Sequence, residues 1–154
     1  MSESPQNTLH DPSTQALVAR LGDLGQSLGE REVLHCEGLA TAQRHIEELR
    51  SRVESALEAF HGAVSRAGAP HLKVVLGRVR TDAKHLRSLE FELLRGRYKA
   101  VVTAKSRGEM TLVGPFHAGK TEGPCLSYSF DAGNEFDEAL ASFLEKFLEE
   151  AATP

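Results

Sequence analysis

Between residues 39 and 63 the apolar side chains fall in unbroken alternating steps of three and four: Leu39, Ala42, Ile46, Leu49, Val53, Ala56, Phe60 and Ala63. That spacing is a coiled-coil-like seam of about three and a half heptads. Glu47, Glu48, Arg50, Arg52, Glu54 and Glu58 lie off it. The pattern predicts a helix from Glu30 to about Ala67, with Gly68 as a left-handed cap and Pro70 as a stop. At 1.5 Å per residue such a helix is about 57 Å long, more than the small body after it is expected to cover. The seam therefore calls for a partner helix. Upstream, Leu17, Leu21, Leu24 and Leu28 mark a shorter stripe, capped by Ser13 or Thr14. Gly22, Gly25 and Gly29 weaken it by about 1 kcal/mol each relative to alanine. The partner is either residues 14–28 folded back or the same helix of a second chain. Because the first candidate is short and glycine-weakened, a homodimer is expected. Its self-association seam is Leu39, Ala42, Ile46, Leu49, Val53, Ala56 and Phe60, in a parallel or antiparallel pair.

Beyond residue 70 the period changes from about 3.5 to two. Leu89, Phe91 and Leu93 alternate with Ser88, Glu90 and Glu92, and Tyr98, Ala100, Val102 and Ala104 alternate with Arg97, Lys99, Val101 and Thr103. A two-residue turn at Arg95-Gly96 pairs 93 with 98, 91 with 100 and 89 with 102, and sets Glu92 opposite Lys99. A three-residue turn, Ser106-Arg107-Gly108, pairs Lys105 with Glu109, Ala104 with Met110 and Val102 with Leu112. Further strands are predicted at about Leu72–Arg80 and at Cys125–Phe130. The last segment, residues 135–151, carries Phe136, Leu140, Phe143, Leu144, Phe147 and Leu148 on one helical stripe behind Asn134 as cap. The expected fold is α+β: a helical arm with a coiled-coil seam, then a five-stranded antiparallel meander packed with a C-terminal amphipathic helix. Residues 1–12 are expected to be a disordered tail, 13–69 the arm and 70–154 the body.

Charge sharpens this division. Residues 1–69 carry ten acidic and six basic side chains, residues 70–130 five and eleven, and residues 131–154 seven and one. A basic centre thus sits between acidic flanks, although the net charge of the whole is only −4. There is no apolar run long enough for a spanning helix. The first residues lack the basic and apolar pattern of a secretory leader. Cys36 and Cys125 show neither a disulfide framework nor zinc spacing. A reduced, cytoplasmic chain without membrane contact is the expectation.

Candidate chemistry is sparse. Gly114-Pro115-Phe116-His117-Ala118-Gly119-Lys120-Thr121 matches the phosphate-loop pattern G-x-x-x-x-G-K-[ST]. The pattern works only when Lys120 and Thr121 open a helix whose N–H groups face phosphate. Gly123-Pro124 blocks that helix within a turn, so an irregular strand-to-strand loop over 114–124 is expected. Two E-x-x-H pairs, Glu32–His35 and Glu58–His61, lie about 39 Å apart along one helix, and the second falls on the outer face, so no di-metal site is expected. Neither cysteine has a histidine at nucleophile spacing. No cofactor, metal or catalytic residue is assigned.

Two function classes remain. The first is a non-enzymatic interaction or adaptor module that self-associates through its arm and binds an unidentified protein. The alternative is nucleic-acid binding by the basic sheet face. Its candidate contacts are Arg78, Arg80, Arg95, Arg97, Lys99, Lys105, Arg107 and Lys120. Glu90, Glu92 and Glu109 lie across from these cations, and no aromatic is interleaved for base stacking.

Overall fold

A computed structural model describes residues 11–81, 87–117, 119–120 and 123–152. The fold is α+β: a long N-terminal helix, an antiparallel sheet, and a C-terminal helix. Of the expected tail over residues 1–12, residues 1–10 lie outside the described residues, and Asp11 and Pro12 belong to the start of the first helix.

Helix α1, Pro12–Arg66, is one continuous element, where a break near the glycines was expected. Asp11, not Ser13 or Thr14, is its cap: its Oδ1 accepts from the Ser13 amide at 3.4 Å, and Pro12 takes the first helical position. The C-terminal end is as expected. Gly68 has φ 85° and donates to the Ser65 carbonyl, and Ala69 donates to Val64, which is the Schellman arrangement. Two compact units divide the chain, residues 1–36 and residues 37–154, and α1 contributes to both.

The sheet of the second unit follows the order β1-β3-β4-β5-β6, with β2 also on β3. Its strands are β1 Val75–Leu76, β2 Arg80–Thr81, β3 Ser88–Arg95, β4 Tyr98–Lys105, β5 Glu109–His117 and β6 Cys125–Ser129. The expected single strand over 72–80 is two short pieces. Val75 pairs with Leu94 and Arg80 with Glu90, a one-residue offset that falls across Arg78 and Val79.

The β3–β4 register differs from expectation by two residues: Leu93 faces Ala100, Phe91 faces Val102 and Leu89 faces Ala104. The turn residues are Gly96-Arg97, because Gly96 (φ 56°) occupies the first central position, as a type II′ hairpin demands. A shift of two preserves every side chain's face, so the apolar face survives the error. The β4–β5 turn forms as predicted, with Lys105 against Glu109 and Gly108 at φ 95°.

Strand β5 continues to His117, through part of the expected loop, by way of an irregularity between Lys99 and Val101. Gly114 makes this possible. It sits at φ 114°, where a Cβ would come within 3.0 Å of the Lys99 carbonyl oxygen.

One face of the sheet carries Leu89, Phe91, Leu93, Ala100, Val102, Ala104, Met110 and Leu112, all buried. Phe136, Leu140, Phe143, Phe147 and Ala151 of helix α2, Asn134–Ala152, join the same core. So do Ala42, Ile46, Leu49, Val53 and Leu57 of α1. Gly38 is the point of closest backbone approach, since a Cβ there would collide with the Ser106 carbonyl.

Candidate functional site

The seam expected to bind a second chain is used inside the protomer. Ala42, Ile46 and Val53 have no exposed surface and Leu49 almost none, while Leu39 and Phe60 are half-buried against the same core. Ala56 is exposed, and Leu57 is buried in its stead. The expectation failed on one premise, that the body is too small to cover the seam. A sheet with an eight-residue strand pair and an apolar face, together with the apolar stripe of α2, forms one core with residues 39–60.

The arm residues upstream behave differently. In the unit that ends at Cys36, Leu17, Val18, Leu21, Leu24, Leu28, Val33 and Leu34 are exposed, between 49% and 67%. Leu17, Leu21, Leu24 and Leu28 follow steps of four, three and four, so they share one stripe. Space beside Gly22, Gly25 and Gly29 is open: a Cβ there would meet nothing within 4 Å. Polar contacts in this unit are few and local. Gln26 donates to Glu30 at 2.9 Å, and the Cys36 thiol to Glu32 at 3.6 Å. The stripe was visible in the sequence, where it stood as one of two candidate partners for the seam.

The basic sheet face is a lattice of ion pairs. Arg80 meets Glu90 at 3.0 Å and also contacts Glu92; Lys99 reaches Glu92 at 2.7 Å. Arg107 and Lys105 converge on Glu109 at 3.0 and 3.7 Å. Burial alone would raise the Glu92 carboxyl, but Lys99 and Arg80 outweigh it and hold it below its ordinary value. Glu109 is lowered too, chiefly by its hydrogen bond from Arg107. Arg78 and Arg97 are exposed on a strand break and a turn.

The two depressed carboxyls predict acid sensitivity. The unfolded chain takes up these protons first, so the contribution is complete above the ordinary value of 4.5 and fades as pH falls through the lower folded values. Glu92→Gln should melt at lower temperature than the native chain at neutral pH. Between about pH 5 and pH 3 its melting curve should fall less steeply. Superimposable melting-temperature profiles against pH would contradict the assignment.

Arg95 is half-buried and its guanidinium is engaged by backbone carbonyls. It shares the core-facing parity of Leu89, Phe91 and Leu93, and its guanidinium donates to the carbonyls of Ala151 (3.0 Å), His71 (2.9 Å) and Lys73 (3.3 Å). His61 is likewise structural, since its Nε2 accepts the Val74 amide at 3.1 Å. Lys120 is exposed in a turn, where its amide donates to His117 and Gly119 has φ 97°. Residues 118, 121 and 122 lie outside the described set. β5 and β6 pair antiparallel on either side of this turn, so the string does not carry a strand into a phosphate-facing helix.

Sequence reading missed a cleft of about 210 Å³ lined by His45, Arg52, Met110, Phe130, Phe136 and Asp137. Within it Arg52 pairs with Asp137 at 2.8 Å, and the His45 ring stacks on Phe130 with centroids 4.1 Å apart. Only the tertiary fold brings positions 45, 110 and 130 together, so no local spacing could have signalled it. Among the described residues, no group of three or more His, Cys, Asp or Glu converges as a metal site would require. No helix of the described residues is long and apolar enough to cross a membrane. Comparison with family models, curated proteins and solved structures finds no match to this chain.

Proposed function

We propose that this chain is a non-enzymatic protein–protein interaction module that self-associates through its N-terminal arm, residues 12–36. The observation that carries the reading is the leucine stripe Leu17, Leu21, Leu24 and Leu28, every member about half exposed. Four leucines on one side of a helix are a costly surface to leave in water, at roughly 1 kcal/mol for each half-exposed side chain. The three glycines add to the need for a partner. A segment this weakened is marginal as an isolated helix and gains most of its stability from tertiary or quaternary packing. The adaptor role follows if the body then offers its own surfaces to another protein. Two free, exposed cysteines suit a reducing cytoplasm.

Sedimentation or light scattering across micromolar concentrations tests the reading. The native chain should show concentration-dependent mass. Leu21→Glu combined with Leu24→Glu should weaken association by about 100-fold or more, the equivalent of roughly 3 kcal/mol. Its thermal unfolding should stay close to native, because neither leucine belongs to the core. A native chain that stays monomeric throughout that range would end the proposal.

A further inference from the structure

The two edges of the sheet are built differently. On one side, β1 and β2 are two-residue pieces broken by an offset and guarded by Arg78 and Arg80. Broken, charged edges are how native sheets refuse further strands. On the other side β6, Cys125–Ser129, is an unbroken strand with no charge and no proline. Among the described residues it pairs with β5 alone, and Leu126 is 52% exposed.

The hydrogen-bond parity of β6 is known. The Phe130 amide donates to Gly108 and the Gly114 amide to Pro124, so the even residues of this ladder face β5. The N–H and C=O groups of Cys125, Ser127 and Ser129 therefore point away from β5, and of these the Ser129 carbonyl already accepts the Ala132 amide at 3.1 Å. Three outward residues with the middle one at the strand centre are self-complementary about a two-fold axis. We infer that β6 pairs with β6 of a second copy, antiparallel and centred on Ser127, to continue the sheet across two chains.

In that register Cys125 faces the second copy's Ser129, and Ser127 faces its own counterpart. Each is a hydrogen-bonded pair, so five outward groups on each strand gain a partner, and the Ser129 carbonyl takes a second donor beside the Ala132 amide. Leu126 falls directly opposite the second copy's Tyr128, in the closer, non-hydrogen-bonded type of pair. Both side chains lie on the core face, since they pair with Leu112 and Met110. The exposed leucine is thereby covered. No like charges meet at the axis, because Cys125–Ser129 contains none. A one-residue slip in either direction would set outward groups against groups already bonded to β5, and a two-residue slip would leave one outward residue of Cys125–Ser129 on each strand without a counterpart. The contact is short, below the area of a standard stable interface, which makes it weak and concentration-dependent.

This pairing uses residues separate from the arm, and the two can be tested apart. The chain carrying Leu21→Glu and Leu24→Glu isolates the edge. Amide exchange is followed in it at rising concentration. The amides of Cys125, Ser127 and Ser129 should become protected together, and mass should move from monomer toward dimer. Ser127→Pro removes an N–H that β5 does not use, so the internal ladder stays whole. Ser127→Lys sets two ammonium groups at the axis. Both substitutions should abolish the concentration-dependent protection at residues 125 and 129. Each also removes the exposed Ser127 side-chain bond to Glu109, so thermal unfolding should shift slightly and by the same amount in Ser127→Ala, which keeps the protection. With the native arm present, mass should exceed a dimer, and Ser127→Pro should cap it at the dimer. Residue 125, 127 and 129 amides that stay open at every concentration would overturn the inference. So would protection that appears only when an extended peptide of alternating apolar residues is added, which would make β6 a docking edge for another protein. Failure of the arm alone would read differently, as equal masses for the native chain and the double-glutamate variant.

Discussion

Ile46→Asp is expected to unfold the second unit rather than dissociate an oligomer. Ile46 has no exposed surface and lies in one cluster with Phe91, Val102, Leu112 and Phe147. The change gives up about 2–3 kcal/mol of apolar transfer. It also places a carboxylate where no partner exists, at a cost of several kcal/mol more unless the group is neutralised. The total, at least about 5 kcal/mol, approaches the whole stability of an ordinary domain. Chemical denaturation followed by far-ultraviolet circular dichroism should show no cooperative transition from a native baseline. A variant that stayed folded and lost only self-association would mean that the seam is intermolecular after all. The contrast with Leu21→Glu plus Leu24→Glu is the useful one. Both variants put carboxylates onto apolar stripes of one helix, yet one should cost the fold and the other only the partner.

That contrast marks how far the sequence could be read. The α+β architecture was legible because period and turn chemistry agreed: Gly108 and Gly68 sit at positive φ where their turn and cap require it. The stripe of α2 from Phe136 to Phe147 was legible because three phenylalanines admit no exposed arrangement. The seam at 39–60 was also visible, but periodicity reports only that a face is covered. It does not say whether a helix or a sheet of the same chain does the covering. Ala56 and Leu57 show the difference in detail. A strict heptad favours position 56, whereas packing on a sheet follows the 3.6-residue period and selects Leu57 four residues after Val53. The β3–β4 register failed by two residues for a comparable reason. Either placement of Gly96 keeps the apolar face, and only the turn geometry separates them.

Charge was the less legible property. A count of cations in residues 70–130 suggested a phosphate-binding surface, but geometry gives four of those side chains carboxylate partners within the sheet. Glu92 and Lys99 remain neighbours even though the register moved, because a two-residue shift leaves them diagonal on one face. The cleft at His45 carried no signal along the chain. Its histidine, arginine and aspartate are separated by up to 92 positions and meet only after the helices have packed on the sheet.

Arg95 is the cation whose role the sequence could have revealed, and its removal should be felt throughout the second unit. Its position, two after Leu93 in an alternating strand, puts it on the core face, where an unpaired guanidinium would be expensive. It is not unpaired. One guanidinium serves three backbone carbonyls, of His71 and Lys73 before the sheet and of Ala151 in the last turn of α2. Those carbonyls belong to segments far apart in sequence, and the cation also meets the negative end of the α2 dipole. Arg95→Ala removes charge-assisted bonds worth about 1.5–3 kcal/mol each in favourable cases and leaves part-buried acceptors unsatisfied. Because water can reach two of the three, a net loss of about 3 kcal/mol is expected, or roughly 10 °C in melting temperature for a unit of this size. Arg95→Lys should recover only part of that, since a single ammonium cannot hold carbonyls on opposite sides of a planar fork. Hydrogen exchange should then show the amides around Lys73 and the last turn of α2 opening together in Arg95→Ala. If melting is unchanged and those two segments stay equally protected, Arg95 is an ordinary surface cation and the nucleic-acid reading regains one of its contacts.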